Sequence, residues 1–250
     1  GEHTLVDALR KINDSTGRKM ILIIDEWDAM FRECKGRDEI LDRYILLLRS
    51  LFKSSLTDRL FAAVYMTGIL PIKKYGHESA VSDFYEYSMV EPRPLQNYIG
   101  FTQDEVKSLC ERFHMDFRMM KTWYDGYQVG DICIYNPKSV MESILRRKYS
   151  NYWTKTETYE ALRNYIDMNF DGLKDAVIDM LGGVACEVDT GSFQNDMTSM
   201  RSRDDVLTLL IHLGYLAYDE ENRTVSIPNR EIKEEFIRAV KNGGRKELME

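Results

Sequence analysis

The sequence predicts an α/β protein that opens with a partial parallel sheet, continues through a mostly helical stretch and ends in a smaller α+β segment. Three observations carry this. Met20-Ile21-Leu22-Ile23-Ile24 and Arg59–Met66 are short apolar runs without alternation, the pattern of strands buried on both faces of a parallel sheet. Between them, Asp38–Ser54 reads as one long Ile- and Leu-rich helix, so strand, helix and strand form a βαβ unit. From Arg203 onward the order changes to helix, hairpin, helix.

Taken in order, residues 4–14 form an amphipathic helix with Leu5, Ala8, Leu9 and Ile12 on one face, stopped at Gly17. The first strand ends in Asp25-Glu26 and the second in Thr67-Gly68. Residues 68–82 read as loop, Tyr87–Val90 as a further strand, and Pro92 and Pro94 mark a boundary. Thr102-Gln103-Asp104-Glu105 is a capping box opening a helix to about Phe113. Met115–Tyr124 is helical and Ile132–Tyr135 extended. Asn136-Pro137 places an N-cap before a proline at the first helical position, starting a helix to about Lys148. Helices also fit Thr156–Ile166 and Gly172–Leu181. A helix over Arg203–Leu213, strands at Tyr215–Tyr218 and Thr224–Ile227, and a helix from Asn229 to about Val240 complete the chain, as in a winged-helix module.

Composition narrows the function. In 250 residues, 34 Lys and Arg stand against 41 Asp and Glu, a net charge of −7, so the chain as a whole does not attract nucleic acid through its field. No apolar run approaches the ~20 residues of a membrane span, and no membrane partner is expected. Cys34, Cys110, Cys133 and Cys186 show no C-x-x-C pair and no zinc spacing, and unpaired thiols point to the cytoplasm. The four histidines are scattered, with no helical metal pair among them.

Chemistry concentrates at Asp25-Glu26. Four apolar residues followed by two carboxylates at a strand end is the Walker B pattern of ATPases. The carboxyl ends of parallel strands open onto a ligand crevice. There Asp25 can hold magnesium through its waters, and Glu26 can orient and deprotonate the attacking water. The alternative is a buried strand that simply meets two solvated carboxylates. Thr67, ending the neighbouring strand, is placed to bond a γ-phosphate or that water, or else to cap the following turn. The chain holds no G-x-x-x-x-G-K-[ST] and no Gly-Lys dipeptide, so it lacks the phosphate cradle.

These residues resemble a family. Ile23-Ile24-Asp25-Glu26-Trp27-Asp28 is similar to the hDEYD stretch of the bacterial predicted AAA-ATPase-like proteins, with Trp27 where Tyr is usual. Thr67-Gly68-Ile69 with Ser82-Asp83-Phe84, and Gly100-Phe101-Thr102-Gln103-Asp104-Glu105-Val106, resemble two further segments. Trp123-Tyr124-Asp125-Gly126-Tyr127 with Tyr135-Asn136-Pro137-Lys138-Ser139-Val140 matches the family's WYDGY and YNP-x-S pair, and Asp204–Leu216 and Ile227–Glu231 match the region after it.

The resemblance implies a partial P-loop ATPase core over 1–94, a helical lid over 95–183 and a winged-helix-like domain over 184–250. It further implies a P-loop ahead of Gly1 and often a PD-(D/E)XK nuclease-like domain downstream. The chain is therefore expected to be a fragment without activity of its own. The complete protein is expected to bind ATP and Mg2+ and to use hydrolysis as a conformational switch toward an unidentified protein or nucleic-acid partner. Tyr135, Asn136 and Pro137 face the adenine in this reading; a plain helix N-cap accounts for them too. The rival function is a nucleotide-independent interaction module acting through the winged helix.

Other features are read structurally. Trp123–Tyr127 could contact a nucleotide base or the neighbouring lid, but reads first as a helix end with Gly126 as its left-handed stop and its aromatics in the core. Arg146-Arg147-Lys148, Arg201 and Arg203 read as solvated faces, with contact to a γ-phosphate or to DNA phosphates as the alternative. Three Glu-x-Lys sequences lack a strand-borne Asp upstream, which excludes a nuclease within this chain.

Overall fold

A computed structural model describes residues 4–34, 37–53, 57–69, 71, 84–130, 132–153, 162, 166, 170, 172–193 and 200–243. The chain divides into two units, residues 1–86 and 87–250.

In the first unit, α1 (Leu5–Thr16) starts at a capping box in which Thr4 and Asp7 satisfy each other's backbone N–H groups. It ends at Gly17, left-handed with φ 64°, whose N–H reaches the Asn13 carbonyl. β1 (Met20–Ile24) pairs in parallel with β2 (Phe61–Met66), in a register that sets Ile24 beside Met66. α2 (Ala29–Glu33), α3 (Asp38–Phe52) and a single turn α4 (Thr57–Leu60) lie between them in sequence. The βαβ expectation therefore holds for this pair.

Two details differ from the sequence expectation. The second strand begins at Phe61 rather than Arg59, because residues 57–60 coil into α4, where Arg59 forms an ion pair with Asp14. The strands are also not buried on both faces. Met20, Leu22, Ile24, Val64 and Met66 pack on the core formed by Leu48, Leu51 and Phe52 of α3 with Trp27, Leu60 and Phe61. The opposite face leaves Ile21 and Ile23 each 70% exposed and Tyr65 54% exposed. The described residues supply a layer for one face only.

Among its described residues the second unit holds two small antiparallel sheets. In the first, β5 (Ile132–Tyr135) lies between β3 (Phe101–Thr102) and β4 (Tyr127–Val129). α5 (Gln103–Phe113) opens on the expected capping box of Thr102 and Glu105. α6 (Phe117–Tyr124) is capped by Asp116, and α7 (Pro137–Arg146) by the Asn136 side chain, which accepts from the Ser139 N–H. The strand expected at Tyr87–Val90 is absent. Ser88 turns the chain back there: its N–H donates to the Glu91 carbonyl, and its hydroxyl accepts from Val90 and Glu91. A serine closing its own turn competes with the sheet for these groups. The helix expected at Thr156–Ile166 lies outside the described residues except for Leu162 and Ile166.

α8 (Leu173–Leu181) leads to the second sheet, in which β8 (Thr224–Ser226) lies between β6 (Cys186–Glu187) and β7 (Ala217–Asp219). α9 (Arg203–His212) is buried on all sides, with Val206 through Ile211 at most 1% exposed. α10 (Arg230–Gly243) closes the unit. The aromatics of Trp123–Tyr127 are in the core, as expected. Gly126 has φ 103°, and a Cβ there would stand 2.0 Å from the Pro228 carbonyl oxygen. Asn229 donates to the Asp125 carbonyl at 2.9 Å, and the Tyr127 hydroxyl to the Gly214 carbonyl at 2.7 Å. Side chains thus bond to backbone carbonyls about a hundred residues away in sequence, and the backbone at Gly126 approaches that at Pro228.

Candidate functional site

β1 and β2 end side by side, so the residues that follow them meet. The Thr67 N–H donates to the Ile24 carbonyl and the Trp27 N–H to the Thr67 carbonyl, both at 2.9 Å. Asp25 and Thr67 are thereby set opposite each other, and the Thr67 hydroxyl donates to Asp25 Oδ1. The same oxygen accepts the Glu26 N–H at 3.0 Å. The parallel register thus brings Asp25, Glu26 and Thr67 to one sheet end, where bound ligands of α/β sheets are found.

Glu26 takes φ 51°, in the left-handed region. For a residue with a Cβ this costs about 1–2 kcal/mol, and its exposed side chain is not there to fill the core. Strain of this kind gathers at functional sites. The turn continues with the Ala29 N–H donating to the Glu26 carbonyl at 2.9 Å and the Tyr44 hydroxyl to the Trp27 carbonyl at 2.7 Å. Burial, and next the Asp28 carboxylate, raise the Tyr44 pKa above its usual value and keep that phenol protonated.

Sequence reasoning gave Asp28 no role. It is 1% exposed, and its Oδ1 accepts the Ile69 N–H at 3.2 Å. A Cβ on Gly68 would lie 2.5 Å from the Trp27 ring and 2.7 Å from Asp28 Oδ1. The Trp27 indole and Asp28 therefore close directly over the backbone that follows Thr67. The signal in the sequence was a second aspartate three residues after Asp25 and a glycine directly after Thr67.

Among the described residues, no group of three or more His, Cys, Asp or Glu comes together to cage a metal. A magnesium ion that keeps its waters and leans on phosphate oxygens needs only one or two carboxylates. Exposed Asp25 fits that demand: among the described residues no hydrogen bond engages its Oδ2.

Tyr135, Asn136 and Pro137 lie in the other unit. The Tyr135 side chain is 1% exposed, the Asn136 oxygen caps α7, and the Pro137 ring is exposed. The basic residues are engaged locally. Arg146 pairs with Glu142 at 2.5 Å, Arg147 donates to the Phe113 carbonyl, and Arg203 pairs with Asp204 and reaches the Glu187 carbonyl. The four cysteines form no disulfide, and burial raises the thiol pKa of Cys110, Cys133 and Cys186, which disfavours the reactive thiolate. No helix among the described residues is long and apolar enough to cross a membrane.

Comparison with known proteins agrees at the N-terminus. Residues 2–77 match the family model described as predicted AAA-ATPase, a stretch that contains Asp25, Glu26, Asp28 and Thr67. An uncharacterized protein encoded in the vnfD 5' region of Azotobacter chroococcum mcd 1 is 24% identical over 157 residues, covering 61% of this chain. The match spans 30% of that relative's length. No solved structure matches.

Proposed function

We propose that this chain carries the hydrolytic half of an ATP site whose phosphate cradle is supplied by residues outside it, and that hydrolysis works as a conformational switch. The observation that carries the proposal is the convergence of Asp25, strained Glu26 and Thr67 at the ends of two parallel strands, within the segment matched by the predicted AAA-ATPase family.

In this reading Asp25 anchors Mg2+ through water, and the ion neutralises charge on the phosphates when bound. Glu26 accepts the proton of the attacking water. Thr67 turns its hydroxyl from Asp25 to the γ-phosphate or to that water. The division into a core over 1–94, a helical lid over 95–183 and a winged-helix-like domain over 184–250 is part of the proposal, as is a partner met by the C-terminal segment. Burial of α9 on all sides leaves that helix no face to lay in a nucleic-acid groove.

The test uses protein expressed from the reading frame extended upstream of Gly1. Glu26→Gln keeps size and polarity but removes the base, so ATP should still bind while turnover falls by about 10²-fold or more. Asp25→Asn should weaken magnesium-dependent binding itself. Unchanged turnover in Glu26→Gln refutes the assignment. The 250-residue chain alone should show no turnover above background.

A further inference from the structure

We propose that Asp28 is a positioning residue of this site, its buried carboxylate holding the Ile69 amide and so fixing the turn that presents Thr67 to Asp25. This rests on the ATP-site reading and adds a part the sequence motif did not reveal. Asp28 begins α2, yet its side chain does not cap that helix. It reaches instead across 41 residues of sequence to the Ile69 N–H.

The hydrogen bonds that join the two strand exits among the described residues differ in kind. Two are backbone bonds, from Thr67 to Ile24 and from Trp27 to Thr67. The bond from the Thr67 hydroxyl to Asp25 lies at the exposed rim. It has to break whenever the hydroxyl, which has one proton, donates to a ligand. The Asp28–Ile69 bond is the one formed by a buried side chain. It lets Thr67 exchange hydrogen-bond partners while its backbone stays in place. The close approach at Gly68 supports this, since Trp27 and Asp28 leave no room for a side chain there. Trp27 is tied from below by Tyr44 of α3, so the clamp stands on the core of the unit.

The experiment compares Asp28→Asn, Asp28→Ala and Gly68→Ala in the upstream-extended protein, with Glu26→Gln as control. Exchange of the Ile69 amide, melting temperature, kcat and KM for ATP are measured. Asn retains an acceptor oxygen, so Asp28→Asn should resemble the parent protein. Asp28→Ala should speed Ile69 exchange about tenfold, the scale of one lost hydrogen bond. It should also lower kcat by a similar factor with KM nearly unchanged. Gly68→Ala pushes the same turn away with Asp28 intact and should reproduce that pattern; it decides the matter if Asp28→Ala does not fold. Several outcomes overturn the proposal: an Ile69 amide unaffected by loss of the carboxylate, a released amide with unchanged kcat, Asp28→Asn as defective as Asp28→Ala, or a parent-like Gly68→Ala. Failure of the underlying reading looks different, because turnover would then be unaffected by Glu26→Gln as well.

Discussion

Glu26 is where function and stability pull in opposite directions. Its φ of 51° suits glycine, and an exposed side chain offers little packing in return. Glu26→Gly should therefore relieve about 1 kcal/mol of backbone strain, so its melting temperature should fall less than that of Glu26→Ala, while both lose ATP turnover with the carboxylate. Thermal denaturation and turnover measured on the same sample separate a catalytic glutamate from a structural one, which would lower both. Asp28, one turn further on, behaves as the reverse case: buried, hydrogen-bonded, and costly to remove.

Among the elements, the two-stranded sheet and the Gly126 turn make the sharpest demands. The face bearing Ile21, Ile23 and Tyr65 is exposed beside strand edges, a combination that invites association. Ile21→Lys with Ile23→Lys should reduce self-association of the isolated chain in sedimentation or light scattering. Unchanged association would show that another surface drives it. At Gly126 a methyl group meets both a positive φ and the Pro228 carbonyl. Gly126→Ala should destabilise the second unit by about 3 kcal/mol, from strain and overpacking together, as read from denaturant midpoints.

In the second unit, buried Glu231 and His212 act on stability in opposite directions, and Glu235, whose pKa burial also raises, acts with Glu231. Glu231 accepts the N–H groups of Tyr152 and Trp153, at 2.6 and 3.1 Å. Burial pushes its pKa up to about 7. His212 stacks on Phe193 and is pushed down to about 4 by burial. A raised acid pKa gives stability that is complete below the unfolded value near 4.5 and lost as pH rises toward 7. A depressed histidine pKa gives stability that is complete above 6.5 and lost as pH falls toward 4. Between about 4.5 and 6.5 the two slopes oppose each other, since folding protonates one group and deprotonates the other. Melting temperature should then change less steeply across that window in the parent than in a variant that lacks either group. Glu231→Gln should make it rise with pH, and His212→Leu should make it fall from pH 4.5 to 7. Each span is at most about 3 kcal/mol. Parallel pH profiles in all three proteins would refute the opposition.

What the sequence determined by itself was set by near neighbours. The capping boxes at Thr4 and Thr102 and the Asn136-Pro137 start are complete within four residues, so no distant contact was needed to recognise the last two. Asp25-Glu26 at the end of β1 was legible for the same reason. Tertiary structure alone decided the rest, because those features depend on partners far along the chain. Only the parallel register sets the Thr67 hydroxyl on Asp25. Only the approach of Ile69 gives Asp28 its task, and only the fold brings the Pro228 carbonyl against Gly126. The apolar run of β1 looked the same whether one face or two would be covered. Which of these occurs is set by the layers packed around the strand, and an unbroken run of apolar residues carries no record of them.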